Sequence, residues 1–118
     1  MSVKKASEVA MERVEAGVET YRQVLIPSGE GPNFAMRRFI MKPGGSMPNH
    51  TNTVEHEQYV LRGQARVGIG DEVHEVRAGD VVFIPAGTPH WYQVRGGETF
   101  EFLCMVPNQP DHTEILDS

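Results

Sequence analysis

Apolar and polar residues alternate along most of this chain, and a period of two places successive side chains on opposite faces of a strand. The alternation predicts strands over 20–26, 33–41, 56–62, 65–69, 72–76, 81–84, 90–94 and 99–106. Turn residues punctuate them: Pro27-Ser28-Gly29 after the first and Pro43-Gly44-Gly45 closing the second. Gly70-Asp71 reads as a two-residue hairpin loop, where glycine supplies the positive φ of a primed turn. Many short strands with turn signals at close intervals favour an antiparallel sandwich or barrel over a parallel α/β sheet. Helix is scarce. Residues 7–16 fit either a helical turn or the start of a strand, and Ser7 lacks the acidic partner three residues on that a capping box needs. The stretch 107–118, with two prolines and little apolar pattern, reads as a tail.

Length narrows the picture to one domain, since 118 residues leave room for a single core. A lone cysteine, Cys104, excludes an internal disulfide and suits a reducing compartment. The net charge of −5 argues against nucleic acid, because no face is expected to neutralise phosphates. Charges recur every few residues near the N-terminus, and no apolar run is long enough to span a membrane. The expectation is a cytoplasmic domain whose partner is a small molecule, with neither nucleic acid nor membrane involved.

Three of the five histidines fall in two clusters framed by glycine and proline. One runs from Gly44-Gly45-Ser46-Met47-Pro48-Asn49-His50-Thr51-Asn52 through His56 to Gly63. The other runs Gly79-Asp80-Val81-Val82-Phe83-Ile84-Pro85-Ala86-Gly87-Thr88-Pro89-His90. Neutral imidazole is the commonest ligand for Zn, Fe, Mn, Ni and Cu. A metal needs donors converging from separate strands, and a small barrel supplies that convergence. His50 and Asn52, two apart, share a face.

These clusters resemble the two motifs of the cupin superfamily. The second motif is present in full, from Gly79 through Pro85-Ala86-Gly87 to His90, except that Val94 stands where an Asn is usual. The first has Gly44, His50 and Gly63 in place. Asn52 replaces its second histidine, and His56 stands where the family has Glu. Six residues separate His56 from Gly63, the family spacing, whereas Glu57 leaves five. A one-residue slip turns a side chain to the other face, so only one of the two can point at a metal. His56 fits, as in small cupins with an all-histidine site.

The resemblance implies a double-stranded β-helix, or jelly-roll barrel, as a single cupin domain with its motif-bearing core at about residues 37–106. It implies a divalent transition metal, Mn or Fe before Zn or Ni, with His50, Asn52, His56 and His90 as the ligand set. Asn52 is open three ways: direct ligand, ligand through water, or orienter of a bound water. Histidine-rich cupin dioxygenases make O₂-dependent chemistry on a small molecule the leading class. A non-redox isomerase, cyclase or hydrolase, or a non-catalytic binding module, stands as the alternative. A homodimer is implied too, with the N-terminal segment and outward apolar residues at its interface. Three neutral donors leave the ion its full charge, which acidifies bound water and draws anionic substrates. Protonation of the imidazoles is expected to release it as pH falls through roughly 6 to 5.

Parity adds the remaining candidates. Tyr92 shares a face with His90, and Gln58 with His56, which makes both candidates for catalytic or substrate contacts. Trp91, Tyr59, Leu61 and Leu103 face the other way. Cys104 shares parity with Phe100 and Phe102 and reads as a small buried hydrophobe. Arg37 and Arg38 lie on opposite faces of one strand, so one of them faces inward to meet an anion, and parity does not choose. His74 and His112 read as solvated. Gly68-Ile69-Gly70 is no nucleotide loop, because no helix follows and a third glycine is missing.

Overall fold

Every strand pairing in the computed structural model, which describes residues 2–116, is antiparallel. The outermost residues of the N-terminal segment and of the tail, 1 and 117–118, lie outside that range. Among the described residues a single 3₁₀ turn (Ala6–Glu8) precedes ten strands: β1 (Glu12–Arg13), β2 (Val18–Ile26), β3 (Phe34–Asn52), β4 (His56–Arg62), β5 (Gln64–Ile69), β6 (Glu72–Arg77), β7 (Val81–Ile84), β8 (His90–Arg95), β9 (Phe100–Pro107) and β10 (Thr113–Ile115). No helix among the described residues is long and apolar enough to cross a membrane.

The fold turns on β3. Its first half pairs with β2 on one side and β9 on the other; its second half pairs with β8 and β10. One strand therefore belongs to both layers, β1-β2-β3-β9-β4-β7 and β10-β3-β8-β5-β6. That sharing curls the sheet into the expected jelly-roll barrel.

Pro43-Gly44-Gly45 does not end the strand, as the sequence predicts; it makes the corner. Thr20 pairs with Met41 and Val18 with Ser46, so four residues of β3 lie opposite Glu19 alone. Such a bulge bends its strand and re-aims the side chains beyond it. Gly44 sits there with φ of 84°. The bend carries the chain from one layer to the other, and five residues after Gly45 it delivers His50.

Alternation then fills the interior. Val60, Val67, Val82, Ile84, Phe100, Phe102 and Cys104 are buried in one core, each large apolar side chain contributing about 1.5–3 kcal/mol. Phe102 stacks on Phe39 and on Tyr92, with ring centroids 5.1 and 5.4 Å apart. On the outer side of β9, the buried Glu101 carboxylate is held by Arg38 and by Arg62, the latter at 3.2 Å. Tyr59 and Leu61 are exposed, as their parity requires.

The stretch read as a tail carries β10, which pairs Thr113 with Asn52 and Ile115 with His50. The N-terminal segment packs on its own chain: the Gln23 side chain donates to the carbonyls of Ala6 and Val9, at 2.7 and 3.0 Å.

Candidate functional site

Three strands aim histidines into one pocket. β3 supplies His50 and Asn52, β4 supplies His56 and Gln58, and β8 supplies His90 and Tyr92; all six line it and are buried. His50 and His90 are direct partners across the β3–β8 ladder, which sets their ring centroids 4.1 Å apart. His56 stands 5.6 Å from His90. Glu57 faces away from this cluster and does not line the pocket.

The nitrogens are sorted by their backbone contacts. Nδ1 of His50 lies 2.8 Å from the Pro48 carbonyl, and Nδ1 of His90 lies 2.9 Å from the Thr88 carbonyl. A carbonyl only accepts, so each Nδ1 carries the proton and each Nε2 keeps its lone pair. Nε2 of His56, Nε2 of His90 and Oδ1 of Asn52 are buried with no hydrogen-bond partner. Orphaned acceptors are costly in a protein interior. His90 Nε2 and Asn52 Oδ1 are fixed as acceptors by their partners, and His56 Nε2 is one in the tautomer that carries its proton on Nδ1. Donors gathered in this way from three strands fit a cation. Among the described residues, no three His, Cys, Asp or Glu side chains already stand around one point as a finished ligand shell. Closing on an ion through all three rings therefore requires side-chain adjustment.

Burial keeps the imidazoles neutral. It pulls His56 down to about 3, helped by the nearby Arg37 charge, and His90 down to about 4, helped by His50. His50 is lowered by the same burial, against the opposing pull of the Pro48 carbonyl and Asp111.

Gln58 Nε2 donates to the Tyr92 hydroxyl at 2.8 Å. Tyr92 is buried, and desolvation pushes its hydroxyl well above the usual phenol range. The hydroxyl oxygen thus accepts from Gln58 while its own proton stays available. Cys104 lies beneath, 3.8 Å from Gln58 Nε2, and burial raises its thiol too. A protonated, enclosed thiol is a poor nucleophile.

Of the two arginines that parity left open, Arg37 lines the pocket, while Arg38 binds Glu101 on the opposite face. Asp111 and Thr113 were missed: Asn52 Nδ2 donates to Thr113 Oγ1 at 2.8 Å and to Asp111 Oδ2 at 3.2 Å. Nothing periodic in 107–118 marks them. The pocket holds about 580 Å³ of space, including its mouth, and Phe39, Met41, Met47 and Phe102 form its apolar wall. His74 and His112 are exposed and do not line the pocket.

Comparison with known proteins places this geometry in context. The family model described as the Cupin domain matches residues 37–106. A 1-methylthio-D-xylulose 5-phosphate methylsulfurylase from Rhodospirillum rubrum is 32% identical over 94 residues, 80% of this chain. An acireductone dioxygenase from Pectobacterium atrosepticum is 31% identical over 78 residues, 63% of this chain. The chain spans 60% and 43% of the lengths of those two proteins. Among solved structures, a polyketide cyclase from Streptomyces resistomycificus superposes with a TM-score of 0.87 at 32% identity, covering 100% of this chain and 88% of that one.

Proposed function

The chain belongs to the cupin domain family, and from that premise we propose that it is a metal-dependent enzyme acting on a small organic molecule. A divalent transition metal would be held by His50, His56 and His90, with Asn52 Oδ1 as a fourth donor. The observation that carries this is the sorted nitrogens: two Nδ1 atoms tied to carbonyls, and buried Nε2 atoms on His56 and His90 without partners. When bound, such an ion supplies Lewis acidity toward an oxygen of the substrate.

The protein's own groups do the rest. Phe39, Met41, Met47 and Phe102 exclude water from one side of the pocket. Tyr92, kept protonated by burial and fixed by Gln58, offers its hydroxyl proton to a substrate oxygen. Gln58 thereby acts as a positioning residue.

Non-redox chemistry of the cyclisation kind is the better-supported reaction class, because the similarity to the polyketide cyclase runs over the whole chain. This reverses the order expected from the motifs. The O₂-dependent reading keeps support from the acireductone dioxygenase, over a smaller share of the chain.

Elemental analysis of the isolated protein, with chelator titration of the parent, His50→Ala and His90→Ala, tests the metal. One ion per chain, lost in both variants, is expected; retention by both variants, or no metal in the parent, overturns the proposal. Anaerobic turnover of a polyketide precursor against O₂ uptake by the Fe- or Mn-loaded chain separates the two classes. We further propose a second copy of this chain as its protein partner. Tyr59 and Leu61 of β4, with Val81 and Phe83 of β7, are exposed on one outward face. A monomer mass by light scattering overturns that.

A further inference from the structure

We infer that Arg37 is the anchor for a carboxylate on the substrate, so that this pocket takes a small organic acid with an apolar body. The inference rests on reading the pocket as a substrate site and adds the chemical class that enters it.

Arg37 differs from the other arginines whose contacts are seen. Arg22, Arg38, Arg62 and Arg66 each pair with a carboxylate. Among the described residues Arg37 pairs with none, and no Asp or Glu lines the pocket it faces. Its Nη2 donates to Cys104 Sγ at 3.3 Å, its guanidinium carbon lies 5.0 Å from the centre of the Phe39 ring, and its Nε is buried with no partner. A weak sulfur acceptor and an aromatic face satisfy a guanidinium poorly. A half-buried guanidinium whose Nε is enclosed and unpartnered carries a desolvation cost, and an incoming anion relieves it.

The position of Arg37 is as informative as its lack of a carboxylate. It stands opposite Cys104 on the β3–β9 ladder, and Gln58 stands opposite Cys104 on the β4–β9 ladder. Arg37 therefore sits on the floor beside Gln58 and Tyr92, near enough for its charge to act on His56. A molecule with its carboxylate on Arg37 has its body against Phe39 and Phe102 and its far end toward the histidines.

Carboxylate is favoured over phosphate by the donor count. A phosphate dianion calls for several cations or a cradle of backbone N–H groups. Here one unpaired guanidinium faces the pocket, no lysine lines it, and Arg22 at its edge is already bound to Glu12 at 3.2 Å. A planar monoanion matches a single planar fork.

Calorimetric titration of the parent, Arg37→Lys and Arg37→Gln with benzoate, phenylacetate, benzamide and phenyl phosphate tests this, with each protein both chelator-stripped and Zn-loaded. At least one carboxylate should bind the parent more tightly than benzamide or phenyl phosphate. Arg37→Gln should weaken it by roughly 10- to 100-fold, the scale of a hydrogen bond to a charged group. Arg37→Lys should recover only part, since an ammonium keeps the charge but not the fork. As a readout that needs no variant, the Arg37 Nε–H resonance of the parent should shift on adding the carboxylate and stay put with benzamide. No carboxylate binding, binding indifferent to Arg37, or equal binding of the amide or phosphate overturns the inference. Binding that needs metal but ignores Arg37 sinks the anchor and leaves the metal site standing. Arg37-dependent binding in a chain that takes up no metal does the reverse.

Discussion

Asn52 donates its side-chain amide to Thr113 Oγ1 at 2.8 Å, across the same β3–β10 ladder on which the two residues are direct partners. Asp111 reinforces the tie, accepting from the Asn52 amide at 3.2 Å and from the Thr53 backbone N–H at 2.9 Å. With both amide protons engaged, Oδ1 is the end of the side chain left without a partner. The C-terminal strand thus decides which way the Asn52 amide is turned.

Thr113→Val removes the shorter of the two acceptors and keeps the shape. The loss should be about 1 kcal/mol, the net worth of one hydrogen bond, with Asp111 still in place. Urea unfolding should show a lower midpoint at an unchanged slope, and backbone exchange over 113–115 should quicken. An unchanged midpoint would show that the Thr113 bond contributes nothing.

Gly63 links β4 to β5 with φ of 81°, and a Cβ there would stand 2.3 Å from the Thr99 carbonyl oxygen. Gly87 has a similar φ of 76°, but a Cβ would meet nothing within 4 Å. Both alanine variants suffer the left-handed strain of order 1–3 kcal/mol. Only Gly63→Ala adds a clash with backbone that cannot step aside. Thermal unfolding should therefore find Gly63→Ala clearly less stable than Gly87→Ala; equal melting temperatures would contradict this.

The same contrast shows what the sequence could reveal. Strands over 56–62 and 81–84 were legible to the residue because alternation there answers to one buried face. His50, His56 and His90 were legible from motif spacing, and Gln58 and Tyr92 followed by parity. Pro43-Gly44-Gly45 misled, because a bulge at a barrel corner uses the same residues as a strand end. Residues 113–115 were illegible for a different reason. All three are exposed, so their ladder leaves no apolar alternation behind. Arg37 and Arg38 were indistinguishable in type, and only the position of Glu101 on β9 separates them.

Acid should destabilise the metal-free chain through its buried histidines. Above about pH 6.5 they are neutral folded and unfolded alike, so they contribute no pH dependence. Below it the unfolded imidazoles take up protons while the buried ones do not. Their folded pKa values are depressed, to about 4 for His90 and about 3 for His56. Stability should therefore fall with falling pH, by up to about 1.4 kcal/mol per unit for each histidine, until those values are reached. Denaturant unfolding between pH 7 and 4 should show this slope, shallower in His56→Leu; parallel curves would refute it. Protons should likewise compete with a bound metal only at a lower pH than the range of 6 to 5 expected for ordinary histidines.

Asn52→His is the substitution on which metal affinity and fold stability should part. It replaces an amide oxygen, a weaker donor to transition metals, with imidazole. It also deletes the donors to Thr113 and Asp111. Chelator competition should find the metal held at least about tenfold more tightly, the scale on which even the outer partner of a ligand counts. Unfolding of the stripped variant should move the other way, by about 1–2 kcal/mol for the two lost bonds. If the variant releases its metal as readily as the parent, Asn52 either serves as well as histidine or lies outside the ligand shell. Stability distinguishes those outcomes from misfolding: a variant that loses β10 altogether would show fast exchange at 113–115, whereas one that keeps the strand would not.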